Sequence, residues 1–263
     1  MFFLILIAAG LLVSLSSVFL GLGGGILLVP LLPDLFGITL KQAVATSITT
    51  IFFVVIVNTY KFHQARLVEW RIVVLMGPAS LVTSFLAARL STTVDPKWIL
   101  ITLAVILALV AVRGIVMSMS KIKYEVVTDL STGQKAISVG GGALAGAASG
   151  FAGIGSGAIL SPLMIILKII EPAKLSPTAN ANMLFATGAG TLGFLTAGEF
   201  QNWSQWGNIR LDIAAGIFVV ATILGGFLRP HQNKLPFIAK AILLNFLLLF
   251  LIGKVVYMLT QPV

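Results

Sequence analysis

The chain has 263 residues, 58% of them hydrophobic and only 10% charged, with a mean hydropathy of +1.08. That balance excludes an ordinary soluble domain, and the absence of cysteine excludes disulfides, thiolate metal sites and cysteine nucleophiles. The net charge of +9 comes from 17 basic and 8 acidic residues scattered through short polar stretches, without the clustered patch that nucleic-acid binding needs.

A helix crosses a bilayer with about 20 apolar residues. Eight stretches qualify, at roughly 2–20, 42–60, 72–90, 98–118, 136–153, 178–197, 210–228 and 238–259. They predict an all-α polytopic membrane protein of about eight transmembrane helices. Met1-Phe2-Phe3 lacks the charged start of a cleavable signal, so 2–20 reads as a retained first helix. The first apolar run, 2–33, carries no charge and is too long for one simple span. It must tilt, break or re-enter, and the Gly-rich segment 21–25 marks where. A shorter apolar piece, 24–33, follows that break, and another, 157–170, follows a second Gly-rich break at 153–157. The least apolar segment, 119–135, links an N-terminal repeat, 1–118, to a C-terminal repeat, 136–263.

The halves are related by a phrase written twice, GLGGGILLVP at 21–30 and GIGSGAILSP at 153–162. At an offset of 132, Gly21, Gly23, Gly25, Leu28 and Pro30 match Gly153, Gly155, Gly157, Leu160 and Pro162, and Ser156 stands opposite Gly24. Further along, Lys41 and Trp70 match Lys174 and Trp203, and Arg89 and Pro96 match Arg229 and Pro236. About seven extra residues between Trp203 and Arg229 account for the drift. Four spans per half make the repeats parallel and an odd number makes them inverted, and the sequence leaves both open. With eight full spans, the side holding the termini collects Lys61, Arg66, Arg71, Arg113, Lys121, Lys123, Lys135, Arg210 and Lys254. Those nine stand against eight on the other side, too small a difference to set orientation. The charged linker is assigned to the cytoplasm.

Irregular backbone at membrane depth survives only where protein buries it or a polar cavity receives it. Both glycine breaks therefore face inward. The half-helix after each break presents unpaired N–H groups and a positive dipole end, which bind anions without a charged side chain. Gly23, Gly24 and Gly25 in one half, and Gly155, Ser156 and Gly157 in the other, are the backbone candidates for substrate binding. A polar cluster opens the next helix in each half, with Thr46, Ser47 and Thr49 in the first and Asn180 and Asn182 in the second. Neutral hydrogen-bonding side chains suit an oxyanion that must also be released. Arg89 and Arg229, at helix ends, are candidates for an access path or secondary contacts. No acidic residue falls deep in a predicted helix, two isolated histidines cannot make a metal site, and no Walker phosphate loop is present. The chain therefore reads as a non-enzyme with no catalytic residues, no metal and no cofactor.

The twin glycine phrase ending in proline, the Ala45-Thr46-Ser47 that follows the first copy, and the eight-span plan together resemble the TauE/SafE family of membrane permeases, across essentially the whole chain. The resemblance implies a secondary transporter of small sulfur-containing anions such as sulfite, sulfoacetate or other organosulfonates. It implies export across a bacterial inner membrane, by alternating access at a site between the repeats. An anion channel using the same breaks, or a permease for another small organic anion, are the alternatives. The partners expected are the anion, the lipid bilayer, a coupling ion of unassigned identity (proton or sodium) and a second copy in a homodimer. The chain departs from the family pattern at Ser156 and at Ala179-Asn180, where the second half does not repeat the first.

Overall fold

The computed structural model describes residues 2–15, 24–119, 130–228 and 237–260. They form ten helices, α1 (Phe2–Leu15), α2 (Gly25–Phe36), α3 (Leu40–Gln64), α4 (Trp70–Thr93), α5 (Pro96–Met119), α6 (Thr132–Ala152), α7 (Gly157–Ile166), α8 (Pro172–Ala197), α9 (Leu211–Leu228) and α10 (Phe237–Thr260). Where the structure describes them, the expected apolar stretches fall largely on helices, and α2 and α7 are the short pieces after the glycine breaks. Among the described residues, α3 and α4 are long and apolar enough to cross a membrane by themselves, and shorter apolar helices surround them. One feature was not expected from the sequence. The extra residues between α8 and α9 form a three-stranded antiparallel sheet of β1 (Phe200–Asn202), β2 (Gln205–Trp206) and β3 (Ile209–Arg210).

Hydrogen bonds and ring contacts fix the direction of each helix. We call the end where α3 starts face I and the end where α8 starts face II. At face I, Lys41 Nζ donates to the Thr92 carbonyl at the far end of α4, 2.8 Å away. The Arg210 N–H, just before α9, donates to Thr46 Oγ1 at 3.0 Å. Lys254 in α10 pairs with Asp34 in α2, and the rings of Phe2 and Phe36 meet edge to face at 5.6 Å. Helix α1 therefore starts, and α2 ends, at the same face. At face II the pattern recurs. The Glu69 N–H, just before α4, donates to Thr178 Oγ1 at 3.0 Å, and Lys174 pairs with Glu69 at 3.3 Å. Gln134 Nε2, at the start of α6, donates to the Leu167 carbonyl after α7 at 3.3 Å.

Each half thus contributes a hairpin that begins and ends at one face, α1–α2 from face I and α6–α7 from face II. The sequence could not separate this from a broken helix that runs straight on. The hairpins do not stay with their own halves: α6 packs along α4, and α1 along α9. The largest apolar core accordingly draws on both halves, from Ile26, Ile48 and Leu103 to Ile154, Phe194 and Leu251.

The α4–α6 seam rests on glycines. Gly142, Gly146 and Gly150 recur every four residues on α6, and a Cβ at each would run into the carbonyl oxygen of Met76, Ser80 and Ser84 respectively. Small residues at this spacing let two helices approach to backbone contact, and van der Waals packing then holds them where lipid supplies no hydrophobic drive. Thr83 Oγ1 bridges the same seam by donating to the Ala143 carbonyl at 2.7 Å. Gly146→Leu is therefore expected to lower the stability of the detergent-purified protein by about 1–3 kcal/mol or more. Gly140 has open space where its Cβ would stand, so Gly140→Ala is expected to be neutral or to stabilise by up to about 1 kcal/mol. Thermal unfolding of the two variants checks the contrast.

Candidate functional site

The tips of the two hairpins meet inside the bundle. A Cβ at Gly25, the first residue of α2, would stand 2.8 Å from the Gly153 carbonyl oxygen and 2.9 Å from the Ile154 carbonyl carbon. Ser47 Oγ, on α3, donates to that same Gly153 carbonyl at 2.8 Å. Ile51 and Met183, each the twelfth residue of its helix, stand beside this junction. Both lie against Gly155, and Ile51 also reaches Gly25. The glycine breaks are therefore at the middle of the bundle, with the backbone of one half touching the other.

Backbone conformation explains why the two phrases differ. Gly24, the N-cap of α2, has φ +76°, a left-handed value that strains any residue with a Cβ, and Val13 Cγ1 would lie 2.8 Å from one. Ser156, the N-cap of α7, has φ −74°, which any residue adopts. In the second half the left-handed turn falls one residue earlier, at Gly155 with φ +77°. Serine is thus permitted at 156 and excluded at 24.

Neither half-helix is capped by a side chain. This contrasts with α3 and α6, which start at the faces and carry complete capping boxes, Thr39 with Gln42 and Ser131 with Gln134. The first turn of any helix has N–H groups without intrahelical partners. At α2 and α7 those groups begin at Gly25 and Gly157, both buried. Leaving buried donors unmet costs about 1–3 kcal/mol each.

Gly23 and Arg229 lie outside the described residues. Thr46, Ser47 and Thr49 are buried beside the hairpins, but their hydroxyls already serve the protein. Thr46 Oγ1 accepts from Arg210, Ser47 bonds Gly153, and Thr49 Oγ1 donates to the Ala45 carbonyl at 2.8 Å. Asn180 Nδ2 is committed to the Ser176 carbonyl at 2.9 Å. Arg89 is exposed near the end of α4, with its guanidinium 6.0 Å from the Phe85 ring centre, far from the junction. Of the side-chain atoms of the predicted site residues, Ser156 Oγ, Asn180 Oδ1 and both amide atoms of Asn182 have no partner among the described residues, and these residues are almost completely buried.

Sequence reasoning missed Ser80. Its Oγ is fully buried without a partner. Ser84 Oγ donates to the Ala186 carbonyl at 2.6 Å, and α4 and α8 both start at face II. Ser80 stands one turn before Ser84 on α4 and Asn182 one turn before Ala186 on α8, and both are unsatisfied among the described residues. The signal in the sequence was the spacing of Ser80 and Ser84 on one face of an apolar helix. It also missed the apolar group Ile51, Val55 and Met183 around the junction.

Ser47→Ala leaves the Gly153 carbonyl without its donor and is expected to cost about 1–2 kcal/mol. Thr49→Val removes only a bond to a carbonyl of its own helix and is expected to cost less than about half of that. Thermal unfolding separates the two, and equal shifts would contradict the interhelical role of Ser47.

The family model described as "Sulfite exporter TauE/SafE" matches residues 6–260. A probable membrane transporter protein of Haemophilus influenzae is 27% identical over 227 residues, covering 85% of this chain and 82% of the relative. One from Xylella fastidiosa is 28% identical over 231 residues, with the same coverage. One from Methanocaldococcus jannaschii is 26% identical over 218 residues, covering 80% of this chain and 79% of the relative. No solved structure matches the chain significantly.

Proposed function

Because the chain belongs to the sulfite exporter TauE/SafE family of membrane transporters, we propose that it is a multi-pass permease of the bacterial inner membrane. Its cargo is a small sulfur oxyanion, sulfite or an organosulfonate, carried outward. The observation that carries this reading is the junction of two buried, uncapped half-helix N-termini at the middle of the bundle. Paired positive dipole ends with unmet N–H groups bind an anion through backbone alone. In transporters built from inverted repeats, the substrate site sits between such broken helices.

The contacts support inverted rather than parallel halves. The structure replaces the sequence match of Trp70 with Trp203, because Trp70 starts α4 and Leu211 starts α9; the Glu69–Thr178 bond just before α4 and the Arg210–Thr46 bond just before α9 then correspond, yet lie at opposite faces. Each half then supplies a hairpin that returns to its own face and three helices that cross, α3 to α5 and α8 to α10. Donors not consumed by the fold define the site's chemistry. They are the Ser156 hydroxyl and the Asn182 amide, next to the first N–H groups of α2 and α7, which no side chain caps, and Asn180 Oδ1 is an unused acceptor beside them in sequence. Ser47, with its hydroxyl proton held by Gly153, acts by fixing the break that faces the anion.

Ile51 and Met183 favour a carrier over an open filter. Two apolar side chains against the glycines, one from each half, close the centre to free ion flow. Moving the halves against each other then exposes the site to one face at a time.

Sulfite uptake into proteoliposomes, stimulated by sulfite on the opposite side, tests the reading. Ser156→Ala and Asn182→Leu are each expected to lower flux about tenfold or more, the equivalent of one lost hydrogen bond to a charged group. Asn182→Leu is expected to leave the melting temperature unchanged or higher, since it removes a buried amide without a partner. A variant that melts earlier while transporting normally would make Asn182 a structural residue.

A further inference from the structure

The strands of the sheet between α8 and α9 are only two or three residues long, too short to stand without support. Trp206 supplies it. Its indole N–H donates to the Leu195 carbonyl at 3.1 Å and the Gly198 carbonyl at 3.3 Å, at the end of α8, where the last carbonyls of a helix lack intrahelical partners. Asn202 Oδ1 fixes the turn between β1 and β2 by accepting from the Ser204 N–H at 2.9 Å and Ser204 Oγ at 2.6 Å. The Leu211 N–H closes onto the Ser204 carbonyl at 2.8 Å, and the Arg210 N–H ties β3 to Thr46 of α3. The sheet is thus bonded at its turn and at both ends.

Three rings run outward from that support. Phe200 meets Trp206 edge to face with ring centres 5.5 Å apart, and Trp203 meets Phe200 edge to face at 5.7 Å. Exposure rises along the line: Trp206 is half-buried, Phe200 is 50% exposed and Trp203 91%, the highest value of any large apolar side chain among the described residues. Trp206 serves the fold, whereas Trp203 leaves most of its ring uncovered. Between 198 and 209 the chain carries a single charge, Glu199. An aromatic edge with polar, nearly uncharged neighbours suits the boundary of water and hydrocarbon better than bulk water.

The level of the sheet fits that boundary. Helix α8 starts at face II and its 26 residues rise about 39 Å. Bilayer hydrocarbon is about 30 Å thick, so the segment after α8 emerges among headgroups. Among the described residues, every tryptophan and tyrosine lies near one of the two faces. Trp98 at the start of α5 and Tyr257 near the end of α10 accompany the sheet at face I, and Tyr60 near the end of α3 and Trp70 at the start of α4 stand at face II. Phenylalanine is not sorted in this way, with Phe52 and Phe185 in the middle of α3 and α8. The sorting follows the polar atom on the ring, because an apolar body with a hydrogen-bonding tip collects where lipid meets water.

We propose that the sheet is a lipid-interface anchor, with Phe200 and Trp203 inserted among the headgroups of the leaflet at face I. This rests on the embedding of the chain in a membrane and is independent of which anion is carried. The corresponding connection of the first half, 65–69 between α3 and α4, has no strand, so the anchor belongs to one half and one leaflet. Through Trp206 it holds the end of α8 at a fixed depth, and through the Arg210 N–H it holds α3 at Thr46.

The absence of cysteine gives a direct test. Trp203→Cys places one nitroxide label at the turn, in the full chain in phosphatidylcholine vesicles, and Val105→Cys places a reference label at an exposed position in the middle of α5. Power-saturation electron paramagnetic resonance then compares collisions with oxygen, which dissolves in lipid, and with a nickel chelate, which stays in water. The anchor predicts that the label at 203 meets the chelate about threefold less often than free label in buffer, yet more often than the label at 105. A second measurement uses the native ring. With Trp70→Phe and Trp98→Phe as background, the difference between Trp203 and Trp203→Phe isolates its fluorescence. That emission is expected to be shielded from aqueous iodide, and quenched about twofold more by nitroxide on the lipid headgroup than by nitroxide deep in the acyl chain. Full access of chelate and iodide, with no quenching by either lipid, overturns the proposal. Stronger quenching from the deep position does so too, because the ring then lies in hydrocarbon. So does shielding that disappears as the protein is diluted in lipid, because a second copy then covers the rings.

Discussion

The contact between Gly25 and the Gly153 carbonyl holds the centre of this molecule together. Two hairpins entering from opposite faces can come this close only because Gly25 carries no side chain towards Gly153, and Gly153 carries none towards Val44 of α3. Ser47 then satisfies the Gly153 carbonyl that the break exposes, and Ile51 and Met183 pack over the remaining apolar surface. The same geometry leaves the first N–H groups of α2 and α7 without side-chain caps, although α3 and α6 show that the chain readily builds capping boxes at its faces. In the proposed permease, these two uncapped ends in the middle of the bundle are where a transported anion would supply acceptors.

Much of this was legible in the sequence. Apolar length located the helices, because the bilayer sets how many residues a span needs. The twin glycine phrase located the junction, because three glycines in five residues break a helix, and here they do so at the same point of two apolar segments. Hydropathy, however, reports length and not direction. The run from Phe2 to Pro33 reads the same whether it crosses or turns back. The turn became visible only when Phe2 was found against Phe36, and Gln134 against Leu167.

The side chains were less legible than the backbone. Thr46, Ser47, Thr49 and Asn180 are small polar residues near the breaks, yet most of their hydrogen-bonding capacity is used by neighbouring helices or by their own. Which partner a hydroxyl finds depends on helix register, which no local pattern encodes. Ser156 and Asn182 stand out because they have no such partner among the described residues. The asymmetry between Gly24 and Ser156 has a backbone cause in the sign of φ, and that frees position 156 to carry a donor its counterpart cannot. The glycines of α6 went unread because their reason lies in α4, more than sixty residues away in sequence.

The central claim is that the paired half-helix N-termini hold the anion. Selenite has the charge and shape of sulfite and carries an anomalous scatterer, so a crystal structure of the protein soaked in selenite locates the bound oxyanion directly. The account predicts a selenium peak between the breaks, within hydrogen-bonding distance of Ser156 Oγ and the backbone N–H groups that open α2 and α7. A peak elsewhere in the bundle, with that junction empty, would contradict it.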